Sequence, residues 1–62
     1  MKTFNVTVDY LKHDGGIFSK ATYSIRARDA EEAAAIVHND LTLRGEPNFR
    51  ISKVEEVHNE YE

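Results

Sequence analysis

The stretch Arg28-Asp29-Ala30-Glu31-Glu32-Ala33-Ala34-Ala35-Ile36-Val37-His38-Asn39-Asp40-Leu41-Thr42-Leu43-Arg44-Gly45 decides the fold. Asp29 is a helix N-cap, because its short carboxylate can accept a hydrogen bond from a free N–H of the first turn. Glu32, three residues on, completes an Asp-x-x-Glu form of the capping box. Ala30, Ala33, Ala34, Val37 and Leu41 then fall on one stripe of a 3.6-residue period. The alanines let the helix approach a sheet closely, and Val37 and Leu41 supply most of the area to be buried. Arg44 complements the negative end of the helix dipole, Gly45 suits the C′ position, and Pro47 blocks continuation. This is the only stretch with helical period.

Outward from the helix, the chain alternates with a period of two. Thr3 to Tyr10 places Phe4, Val6, Val8 and Tyr10 on one side and Thr3, Asn5, Thr7 and Asp9 on the other, the pattern of a half-buried strand. Lys12-His13-Asp14-Gly15-Gly16 interrupts it with glycines able to adopt the positive φ of a hairpin turn. From Ile17 the alternation resumes, with Ala21, Tyr23, Ile25 and Ala27 facing the core and Lys20, Thr22, Ser24, Arg26 and Arg28 facing away. After the helix, Phe49 and Ile51 open a third strand, but Val54 and Val57 break its period. Either a β-bulge near Ser52-Lys53 returns Val54 to the core, the reading we prefer, or the strand ends with Val54 outside.

Strand, hairpin, strand, helix, strand is the order that results. A right-handed crossover through the helix makes the third strand parallel to the second and places it beside the first. The expected fold is α+β: a single-layer, three-stranded antiparallel sheet of ββαβ order 2-1-3, with one helix on one face. The domain spans residues 1-57, and residues 58-62 form a polar, frayed tail.

Composition narrows the function. The 62-residue chain is near the size where burial only just offsets chain entropy, so a partner could complete its core. Having no cysteine, it can hold no disulfide, thiol nucleophile or cysteine-ligated zinc. No apolar run nears the roughly 20 residues that span a bilayer, and the N-terminus lacks a signal-type apolar core, so a cytoplasmic protein without membrane contact is expected. Eight Lys and Arg against eleven Asp and Glu argue against general duplex binding.

Catalytic chemistry finds little support. His13, His38 and His58 share no ligand spacing, and Glu31-Glu32 and Glu55-Glu56 are adjacent pairs that diverge. Ser19, Ser24 and Ser52 lack a nucleophile elbow, and Gly15-Gly16 precedes a strand instead of a helix, so no phosphate loop forms. A non-enzymatic protein without cofactor or metal is expected.

Two surfaces remain. Ile36 and Leu43 share one flank of the helical stripe. They can roof the third strand on Phe49 or Val54, or stay exposed beside an edge strand as an interface for a homodimer or a protein partner. We take the interface, used together with an edge strand, as the leading functional expectation. The alternative is weak RNA or single-stranded nucleic-acid binding on the basic, hydroxyl-rich sheet face through Phe18, Lys20, Arg26, Arg28 and Arg50. Its weakness is that Phe4, Tyr10 and Tyr23 point to the core side, which leaves Phe18 alone for stacking.

Overall fold

A computed structural model describes residues 1–46 and 48–57 and contains β1 (Lys2–Leu11), β2 (Ile17–Ala27), α1 (Ala30–Leu43) and β3 (Phe49–Glu56). The expected Pro47 stop and the tail from His58 to Glu62 lie outside the described residues. The strands form one sheet in the order β2-β1-β3, antiparallel at both junctions, with α1 on one face. The ββαβ fold expected from the sequence is the one observed.

Local chemistry accounts for each element boundary. The hairpin between β1 and β2 is held by the Lys12 N–H on the Gly16 carbonyl at 2.7 Å and the Gly15 N–H on the Lys12 carbonyl at 3.1 Å. Gly15 has φ 89°, the left-handed geometry that ends a three-residue hairpin loop and favours glycine. At the start of α1, the Glu32 N–H donates to Asp29 Oδ1 at 2.8 Å, as the cap requires. The return contact differs from a standard capping box: the Glu32 carboxylate accepts from the Arg28 N–H at 2.9 Å and also from the Arg28 guanidinium. These contacts with Arg28, backbone first, hold the Glu32 carboxyl below its ordinary range. At the C-terminus the Gly45 N–H bonds the Thr42 carbonyl and the Glu46 N–H the Leu41 carbonyl, a Schellman closure with Gly45 at φ 82°.

Phe4, Val6 and Val8 from β1, Ala27 from β2, and Ala33, Val37 and Leu41 from α1 form the buried core. Ala30, the first helical residue, is exposed, so the buried stripe begins at Ala33. The bulge reading of β3 is correct. Ile51 stands opposite Val8 and Lys53 opposite Thr7, so Ser52 is the extra residue, and Val54 returns to the core side opposite Val6. A second irregularity, which the alternation concealed, lies in β2: Tyr10 faces Ser19 and Leu11 faces Ile17, leaving Phe18 unpaired. Phe18 is 73% exposed, at the hairpin end as expected.

Of the two places left open for Ile36 and Leu43, the roof over β3 is not the one observed. Ile36 leans toward β2, beside Tyr23 and Ile25, while His38 on the opposite flank packs on Phe49 with ring centroids 5.4 Å apart. Two residues advance the helix by about 200°, so a flank over β2 and a flank over β3 are what Ile36 and His38 must occupy. The sheet face away from the helix carries Asn5, Thr7 and Asp9 along its central strand. Asp9, although on that face, is only 2% exposed, because side chains from both neighbouring strands close over it.

Candidate interaction surface

The two outer strands present very different edges. β2 runs for eleven residues, and from Ser19 to Ala27 its pairing with β1 is regular. Its outer row carries only Lys20 and Arg26 as charges. β3 has eight residues, a bulge at Ser52, and Arg50, Lys53, Glu55 and Glu56 along it. Bulges and charges are the usual means by which a sheet edge is kept from pairing with another chain. β3 has both, and β2 has neither along its regular part beyond its two cations.

The helix flank above the β2 edge is apolar. Ile36 is 41% exposed and Leu43 86% exposed, and their seven-residue spacing brings them to nearly the same angle around the helix. Ile36 forms one wall of a groove of about 130 Å³ whose other walls include Tyr23, Ile25 and Asp40. That volume is below the roughly 300 Å³ at which small-molecule pockets begin. A side chain would fill it; a cofactor would not fit. The adjoining polar positions are internally paired, Asp40 Oδ2 with Arg44 at 3.0 Å.

The β2 edge is fastened to β1 on both faces. On the helix side, the Tyr10 and Tyr23 hydroxyls hydrogen-bond to each other, with the Val8–Ala21 pair between their levels. This bond, with partial burial, pushes the Tyr10 phenol up to about 12. On the open side, the Thr7 and Thr22 hydroxyls lie 3.4 Å apart. The β3 edge is fastened differently, through Asp9. Arg50 Nε donates to its Oδ2 at 3.3 Å, the Ser52 hydroxyl lies 3.4 Å from its Oδ1, and Lys20 Nζ reaches it from β2 at 3.9 Å. Among the described residues no buried side-chain polar atom is left without a partner.

This arrangement bears directly on the basic residues of the open face. Lys20 and Arg50 flank the Asp9 carboxylate, and Arg28 is bound by Glu32 at 3.0 Å, so three of the four cations already face an anion. Among the described residues Arg26 alone of the four has no carboxylate within ion-pair distance. Phe18 is exposed but stands at the far end of β2 from Arg26. The structure therefore does not gather the five residues into one basic, aromatic track. Alternation identified the cations; it could not show that the strand register sets Asp9 between Lys20 and Arg50.

Beyond the helix C-terminus the hairpin projects, since ten- and eleven-residue strands extend about 34 Å and a 14-residue helix about 21 Å. The depression beneath it, between Tyr10, Leu11, Phe18 and Glu46, is wide and open to solvent. Among the described residues no three His, Cys, Asp or Glu side chains converge as metal ligands would, and no helix is long and apolar enough to cross a membrane. No family model matches the chain, and neither a curated protein nor a solved structure shows significant similarity to it.

Proposed function

We propose that this protein is a small, non-enzymatic interaction module that self-associates through an edge strand and the Ile36/Leu43 flank. The observation carrying this reading is the exposure of Leu43, 86%, on the same helix flank as Ile36, which itself lies against Tyr23 and Ile25 of β2. Covering a residue of this kind is worth roughly 1.5–3 kcal/mol, a substantial gain for a domain with so small a core. A cytoplasmic setting is part of the proposal. The nucleic-acid reading draws less support, because its cations are largely engaged by Asp9 and Glu32.

The test is the solution mass of the wild type and of the Ile36→Asp, Leu43→Asp double variant by light scattering, with helical circular dichroism as the folding control. Both positions are exposed, so the variant should keep its helix. The expected result is a dimer that becomes a monomer in the variant. A wild type that stays monomeric at every concentration, or a folded variant that stays dimeric, would overturn the reading.

A further inference from the structure

We infer that the seam of self-association is β2 against β2 of a second copy, antiparallel about a two-fold axis through Thr22, giving a continuous six-stranded sheet with both helices on one face. The inference rests on the self-association reading above and specifies its edge, symmetry and register.

Symmetry limits the possibilities. A two-fold axis relating antiparallel strands stands perpendicular to the sheet, so it keeps both helices on the same side and passes through a residue position. Charge then separates the registers. An axis at Tyr23 would set Lys20 opposite Arg26, and an axis at Ser24 would set Lys20 opposite Arg28 and Thr22 opposite Arg26. Like charges directly opposed across strands are destabilising. With the axis at Thr22, Lys20 faces Ser24, Thr22 faces Thr22, and the small Ala21 faces the large Tyr23. No charge of β2 between Ser19 and Ile25 then meets its like.

Thr22 is also the midpoint of Ile17–Ala27, so this register avoids repulsion while pairing Ser19–Ile25 of one copy with the same stretch of the other. On the helix face, Tyr23 of β2 and Ile36 of α1 wall the groove that lies between the helix and this strand in each copy. The other edge is shorter and broken. The Ser52 bulge interrupts β3 at its centre, and the end beyond it carries Lys53, Glu55 and Glu56.

Single-cysteine variants of this cysteine-free chain give the test. Thr22→Cys, Ser24→Cys and Lys53→Cys are all at exposed strand positions, and each is oxidised at a concentration where light scattering shows dimer. Two thiols held together in one complex react at high effective concentration. Thr22→Cys should convert most chains to covalent dimer, with little or none from Ser24→Cys or Lys53→Cys. Preferential cross-linking through Ser24→Cys overturns the register, and through Lys53→Cys the choice of edge. A dimer that cross-links at none of the three overturns the seam while leaving self-association standing. A wild type that is monomeric throughout removes both.

Discussion

The two edges of this sheet are made from the same kind of strand, yet one is much more heavily protected than the other. β3 is short, bulged and charged, and it is tied to β1 through a buried carboxylate. β2 is long, is regular from Ser19 to Ala27 past its irregularity at Phe18, and is tied to β1 by neutral hydroxyls, with Ile36 part-exposed on the helix flank above it. Heavier protection on one side is what a domain needs if it is to form a closed pair, since two open edges would permit endless strand addition.

The largest expected effect comes from removing the carboxylate that secures the guarded edge. In Asp9→Ala, Arg50 loses its partner, Ser52 keeps only the Thr7 carbonyl, and Lys20 and Arg50 are left without the anion between them. Breaking a fully buried pair costs about 3–5 kcal/mol, but both cations here can turn to solvent, so a loss of about 1–3 kcal/mol in urea unfolding is expected. Two of the three Asp9 contacts come from β3, so amide exchange should accelerate more in β3 than in β2. Equal acceleration in both strands would show that Asp9 does not distinguish the edges.

A deletion tests the bulge as a guard. Removing Ser52 lets Ile51, Lys53 and Val54 follow in regular alternation opposite Val8, Thr7 and Val6. The fold should survive, losing about 0.5–1.5 kcal/mol with the serine hydroxyl, and β3 should become a flat edge like β2. The expected outcome is a light-scattering mass rising beyond that of the wild type as concentration increases. An unchanged mass would mean that the charges alone guard β3.

The smallest effect is confined to alkaline pH and concerns β2. Tyr10 titrates higher in the folded chain, about 12 against the usual 10.0, so its contribution is complete below pH 10 and is lost as pH rises toward 12. The wild type should lose stability more steeply than Tyr10→Phe over that interval, which removes the lysine contribution common to both. Parallel profiles would show that the tyrosine pair does not hold the β2 edge.

Much of this was legible in the residues. The Asp29 cap, the Gly45 terminus and the period-two rows of β1 and β2 depend on contacts within a few positions, and those determine element type wherever they are. The β3 bulge was also readable, because Val54 can be buried opposite Val6 only if one residue is skipped. Register was not readable to the same extent. The Phe18 irregularity, the placement of Asp9 between Lys20 and Arg50, and the direction in which Ile36 leans depend on pairs 6 to 41 positions apart or on how the helix crosses the sheet.

By itself, then, the sequence determined one helix, three strands, their order and the polarity of each face, since local backbone preference and hydrophobic period act along the chain. Only the tertiary structure decided that Asp9 stands between Lys20 and Arg50 on the basic face, that Leu43 stays exposed, and that Ile36 lies against β2. Those outcomes follow from strand register and helix crossing, which side chains distant in sequence settle together.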